Sequence, residues 1–265
     1  MNKELKGATK SRTARSPGVR WMLCLALLAA AIPAGAQASK EEQALAILRK
    51  VDSNQSYASI RYEGKMEIFS GGKAKTKTMS AWAVGSEKAF IEFTNPEDRG
   101  VRMLKLDKNL WMYFPKEKDT VKISGALLRQ GLMGSDFSYE EAMESDNLLE
   151  SYAASVSGEE ETEGRRSYVL ELSARTKEPA YAKRILWIDA ERHIVLRAEL
   201  YARSGLLLKV SRTLDVMKLG DRYFPSVVEL SDAIKKNSRT VMTMTSLSLD
   251  IKIDEAKFSL QALTR

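Results

Sequence analysis

Cysteine and histidine are almost missing from this 265-residue chain, which has one of each, and only six prolines interrupt it. The lone cysteine, Cys24, lies in an apolar run near the N-terminus. Beyond residue 38, therefore, no disulfide, thiolate metal site or cysteine nucleophile can be built. The lone histidine, His193, falls in a tight turn between Asp189 and Ile194. A Ser-His-Asp hydrolase would have to use it, and Gly134-Ser135-Asp136 lacks the Gly-x-Ser-x-Gly spacing of a nucleophile elbow. Metal binding is left with oxygen ligands, yet Glu159, Glu160, Glu161 and Glu163 are adjacent rather than spaced as loop ligands. No glycine-rich phosphate loop joins a strand to a helix. We expect no catalytic residue, no metal and no cofactor, and read the chain as a non-enzyme.

Residues 1–38 differ from the rest. Lys3, Lys6, Lys10, Arg12, Arg15 and Arg20 form a basic stretch, Trp21 to Ile32 an apolar one, and Ala36-Gln37-Ala38 ends it with small side chains. That order predicts a secretory signal peptide cleaved after Ala38, and hence a periplasmic protein whose single domain is residues 39–265. Leu23 is bulky where a lipobox needs a small residue, so Cys24 is not expected to carry a lipid anchor. The net charge of +7 belongs mostly to the signal: residues 39–265 hold 36 basic against 34 acidic side chains. Such a balance gives no reason to expect nucleic acid. No later run is long enough for a membrane helix.

The rest of the chain opens with a helix, because Ala44, Ile47, Leu48 and Val51 recur on one face. Ser39 and Glu42 have capping-box spacing at its start. Strand periodicity follows. Ile60, Tyr62, Met66 and Ile68 alternate with Arg61, Glu63, Lys65 and Glu67, and Ser70-Gly71-Gly72 makes a turn. Further strands are predicted at 76–84, 88–93, 101–106 and 110–115, then at 152–157, 167–174, 183–189, 194–201, 206–217, 223–232 and 240–250. Between the two sets, Gly125 to Met133 reads as a short apolar helix or loop, and Ser138 with Glu141 caps a helix from Tyr139 to about Leu149. Gly158 to Gly164 reads as an acidic loop, and Asp254 to Phe258 as a helical turn.

Short strands joined by tight turns pair antiparallel, and some eleven twisted strands in series curl toward a barrel. The fold class expected is α+β and β-dominated: a single curved antiparallel sheet, a half-open barrel, with helices covering an apolar cavity. Leu110 to Phe114 and Ile185 to Ile188 are apolar on both faces, more than one buried face requires. Nine of the eleven methionines lie beyond residue 38, and thioethers adapt to irregular ligands. Ile60, Tyr62, Met66, Ile68, Trp111, Leu196 and Leu200 are the expected cavity wall. Leu127, Leu128, Leu132 and Met133 form the expected cover.

Asn95-Pro96-Glu97-Asp98-Arg99-Gly100, leading into Leu110-Trp111-Met112-Tyr113-Phe114-Pro115, resembles the outer-membrane lipoprotein-sorting proteins of the LolA-like superfamily. So do Leu132-Met133-Gly134-Ser135-Asp136-Phe137-Ser138-Tyr139-Glu140, Tyr223-Phe224-Pro225 and Ala256-Lys257-Phe258. The resemblance spans residues 39–265 and implies a half-open barrel whose apolar hollow takes acyl chains in the periplasm. Gly134, Ser135, Asp136, Phe137 and Tyr139 form the family-signature loop, expected to orient the cover. The expected partners are acyl chains of lipoproteins or other lipids, then an inner-membrane transporter and an outer-membrane acceptor, with no nucleic acid. Two rival readings share these residues: an envelope sensor of mislocalised lipoproteins, and a lipid-processing hydrolase using Ser135 and His193.

Overall fold

The computed structural model describes residues 34–143 and 148–265. Nearly all of the expected signal peptide lies outside them. Helix α1 runs from Ala34 to Gln55, so Ser39 lies inside it and does not cap it. Thirteen strands then form one antiparallel sheet. The first six are β1 (Ser59–Ser70), β2 (Lys73–Val84), β3 (Lys88–Phe93), β4 (Arg102–Leu106), β5 (Asn109–Phe114) and β6 (Asp119–Ile123). After a helical insert come β7 (Tyr152–Thr162), β8 (Arg165–Ala174), β9 (Lys183–Asp189), β10 (Val195–Tyr201), β11 (Leu207–Leu219), β12 (Arg222–Asp232) and β13 (Arg239–Leu249). The insert contains 3-10 turns at Gly125–Arg129 and Leu132–Gly134, then α2 (Tyr139–Met143) and α3 (Leu148–Ser151). The single helix expected from Tyr139 to Leu149 is therefore two short ones, with 144–147 outside the described residues.

Strand order is β6-β5-β4-β3-β2-β1-β13-β12-β11-β10-β9-β8-β7. Every neighbour is a chain neighbour except β1 and β13, which pair in register from Ile60 opposite Leu249 to Phe69 opposite Arg239. The two open edges, β6 and β7, are the strands that flank the insert. The sheet curls, and α1 shows which way. It packs against both β7 and β12, which lie five strand spacings apart, about 24 Å on a flat sheet. A helix about 10 Å across touches both only if the sheet wraps round it. The face carrying α1 is the inner one.

Three apolar clusters result. One joins Ala44, Ile47, Leu48 and Val51 of α1 to the inner face of β7–β10 and β12. A second joins Leu132 of the insert to Met66, Ile68, Met79, Phe93, Met103, Leu110 and Met112 on the inner face of β1–β6. The third lies on the outer face, where Phe258 and Leu263 cover Phe90 and Leu104. The closing segment is a capped 3-10 turn (Glu255–Lys257) followed by α4 (Leu260–Thr264).

Two local expectations are corrected. Residues 119–123 are a strand, where the sequence offers only Val121 and Ile123 as an apolar alternation too short to read. Gly158 to Thr162 also belongs to β7 and is not a loop. Two of its glutamates are held across the sheet: Arg166 Nε donates to Glu159 at 2.8 Å, and Trp187 Nε1 donates to Glu160. Cross-strand partners make an acidic run tolerable in a sheet.

Candidate functional site

The insert crosses from one open edge of the sheet to the other and covers the inner face of β1–β6. Its shape comes from a pinched loop. Gly131 and Ser138 form a bridge, Leu132 N donates to Phe137 O at 2.6 Å, and Tyr139 N donates to Gln130 O at 3.1 Å. A Cβ on Gly131 would stand 2.0 Å from Ser135 O, so only glycine fits there. Met133 adopts φ +52° within the turn, an uncommon conformation for a residue with a side chain.

The signature loop fastens the insert to the sheet. Asp136 is buried, and its carboxylate accepts from Ser238 Oγ at 2.5 Å and Thr240 Oγ1 at 2.8 Å. Asp136 N in turn donates to Thr240 Oγ1 at 2.9 Å. The predicted cap at the start of α2 is present: Glu141 Oε2 accepts from Ser138 N at 2.6 Å and Oγ at 2.8 Å. Lys209 Nζ ties the loop to α2, donating to the backbone carbonyl of Asp136 at 2.6 Å and to the Glu141 carboxylate. Tyr181 OH donates to Glu141 Oε1 at 2.7 Å. Hydrogen bonds to an ionised group contribute about 1.5–3 kcal/mol each, so this buried latch fixes the insert in one position. Phe137 packs against both inner clusters, beside the latch.

The expected wall divides between two faces. Ile60, Met66 and Ile68 are buried on the inner side of β1. Tyr62 shares their phase along the strand, and burial, together with neighbouring Tyr57, pushes its phenol up to about 12. Leu200 belongs to the α1 cluster, and Leu196 is buried at the bulge between Val195 and Arg197. Trp111 is corrected: it faces outward, packed near Phe258 and Leu263, with the Lys122 ammonium 5.6 Å from its ring centre. Of the cover, Leu128, Leu132 and Met133 pack on the methionine-rich cluster, while Leu127 is 38% exposed.

On the inner face the buried side chains pack together in the two clusters, beneath α1 and beneath the insert. Two shallow depressions open on the described residues: a groove of about 610 Å³ by Phe69, Lys73, Asn237 and Arg239, and one of about 140 Å³ by Tyr62 and Ser246. Ser135 and His193 do not meet. Ser135 lies in the latched loop, beside the start of β13, whereas His193 is in the β9–β10 turn at the opposite ends of the strands. Asp189 serves that turn and Arg165 through its carboxylate. Among the described residues no cluster of three or more His, Cys, Asp or Glu could hold a metal ion, and no helix is long and apolar enough to cross a membrane.

Sequence reasoning missed Thr240, Ser238, Lys209 and Tyr181, which lie 40 to about 100 residues from their partners in the loop. It also missed Met79, Met103 and Met112 as wall residues. Alternation with polar neighbours could have revealed Met79, whereas β5 offered none.

A curled, unclosed antiparallel sheet with an insert across its open side is an architecture shared with several solved proteins. The chain is similar to a domain described as an outer membrane lipoprotein-sorting protein domain from Vibrio parahaemolyticus, at 22% identity and TM-score 0.75, covering 85% of this chain and 100% of that one. It is also similar to a DUF1329 family protein from Desulfovibrio piger, at 24% identity and TM-score 0.78, covering 84% and 99%. A LolA superfamily protein from Nitrosomonas europaea aligns at 22% identity and TM-score 0.69, covering 83% and 98%. These likenesses establish the fold expected from the sequence. No curated protein sequence matches the chain. A family model described as "-like: Uncharacterized protein" matches residues 85–265, and the chain belongs to that family.

Proposed function

We propose that this protein is a periplasmic carrier that shelters acyl chains of lipoproteins or other lipids between the insert and the inner face of β1–β6. On this reading residues 1–38 are removed on export and residues 39–265 are the carrier domain. The observation that carries the proposal is where the methionines gather. Met66, Met79, Met103 and Met112 are buried beneath the insert, joined at their margin by Met133 and Met242, while no methionine belongs to the cluster under α1. Unbranched thioether side chains repack round irregular apolar guests. Gly64 enlarges their freedom, because a Cβ there would come within 3.3 Å of both Met79 and Met242.

The physical need is plain. At about 0.8 kcal/mol per methylene, a 16-carbon chain costs roughly 12 kcal/mol to expose to water. A filled hollow in the empty protein is what release requires, since side chains that close behind the departing guest replace its contacts. Loading then means lifting the insert, with its Asp136 latch, from the sheet. Uptake of a fluorescent fatty acid tests this. Met66→Arg and Ile68→Arg, each checked for folding by circular dichroism, should abolish uptake that the unaltered chain shows. Unchanged uptake in folded variants would remove the inner face of β1 from the proposal. Ser135→Ala and His193→Ala should leave uptake as it was and reveal no hydrolysis to lose.

A further inference from the structure

Three neighbouring hairpin tips lie at one end of the sheet: β1–β2, β12–β13 and β10–β11. Ala233 N donates to Leu208 O at 2.8 Å, which sets the second and third side by side. Each of those two carries a large apolar side chain outward: Ile234 is 60% exposed and Leu206 is 55% exposed. Neither has a packing role in any of the three clusters. The same tips are basic. Lys73, Lys75, Arg203 and Lys236 are exposed and make no ion pair among the described residues. The nearby acids are already engaged, Asp232 with Lys235 and the backbone N–H groups of residues 234 and 235, and Glu229 with Arg239. Between the first two tips runs the groove of about 610 Å³, where Lys73, Arg239, Ser70 and Asn237 offer donors.

We infer that this end of the sheet docks on an anionic lipid bilayer, with Ile234 and Leu206 entering the headgroup region and the unpaired cations facing acidic headgroups. Apolar side chains at the tips of tight turns, ringed by lysines, combine the two terms that hold a protein at a membrane surface: buried apolar area and attraction to negative lipid. Each basic residue near such a surface strengthens binding by about fivefold, and salt weakens it. The groove also runs past Ser238, whose hydroxyl holds Asp136, so the docked end is the end where the insert is latched. The inference stands apart from the carrier reading, because vesicle binding is measured without any acyl guest.

The test uses the full chain with Cys24→Ser and one introduced thiol. An environment-sensitive fluorophore at Ala233→Cys should brighten at least twofold with phosphatidylglycerol-containing vesicles and stay unchanged with phosphatidylcholine alone. The same fluorophore at Lys108→Cys, in the β4–β5 turn at the opposite end, should not respond. Lys73→Glu, Lys75→Glu and Lys236→Glu together should weaken the response at least tenfold, as should 0.5 M salt. Ile234→Asp with Leu206→Asp should abolish it in protein whose circular dichroism is unaltered. A silent probe at residue 233, an equal response at residue 108, or binding indifferent to lipid charge would overturn the inference.

Discussion

The two halves of the inner face are built to different standards. Under α1, the sheet meets a long helix that contributes Ala44 and Leu48 with no exposure, and every buried partner is aliphatic, alanine or tyrosine. Under the insert, the covering chain is two 3-10 turns and a short helix, with Leu132 its one buried apolar residue, and four of the nine core side chains beneath are methionine. One half is packed by shape, with Tyr152 tied to Tyr181 O at 2.9 Å and the Arg184 guanidinium 5.0 Å from the Tyr152 ring centre. The other is packed by adaptable side chains and held by a polar latch. The lesson is that a half-barrel can keep one half rigid as scaffold and leave the other free to reopen.

The comparison can be broken most sharply by paired truncations. Leu48→Ala should cost about 2–5 kcal/mol of stability, since the long helix cannot collapse into the space left. Leu132→Ala should cost less than half as much, because a short insert can settle; denaturant midpoints that fell equally would erase the distinction. Next in size, Asp136→Ala strands the Ser238 and Thr240 hydroxyls and should cost about 1–3 kcal/mol. Hydrogen exchange should then quicken in residues 130–142 but not in α1. A smaller effect is expected from Met112→Leu, below about 1.5 kcal/mol in stability, yet with slower uptake of the fluorescent fatty acid. Leu170→Met in the rigid half should leave uptake alone.

The smallest effect concerns pH, and here the halves should agree. Burial alone would raise the Asp189 carboxyl, but the Arg165 guanidinium and the N–H groups of Arg192 and Glu191 hold it below the usual carboxylate range. Asp98 is likewise held down, against burial, by the Asn95 amide and the Lys77 ammonium. A lowered folded value stabilises above the unfolded pKa of about 3.9 and loses that contribution as pH falls through the folded value. Stability differences between the unaltered chain and Asp189→Asn or Asp98→Asn should therefore be full at pH 7 and shrink below about pH 4. A difference that persisted at pH 2 would mean that these turns depend on shape and not on charge.

How far the sequence spoke depended on whether polar residues marked the phase of a strand. In β1, alternating charges put Met66 and Ile68 on one shared face without ambiguity. In β5, Leu110 to Phe114 are all apolar, so period two gives no phase, and only the neighbours decide that Met112 faces inward and Trp111 outward. The Ser138–Glu141 cap was legible because its partners are three residues apart. The Asp136 latch was not, because Thr240 and Ser238 arrive from the last strand.

Local spacing alone thus determined every strand but β6, most turns, the antiparallel order they impose and the place of the insert in the chain, because those depend on neighbours a few residues apart. Tertiary structure decided which face is inner, that the insert bridges β6 and β7, and that the methionines collect beneath it. Those outcomes depend on how far the sheet curls before its edges meet a covering segment, which is a property of all thirteen strands together.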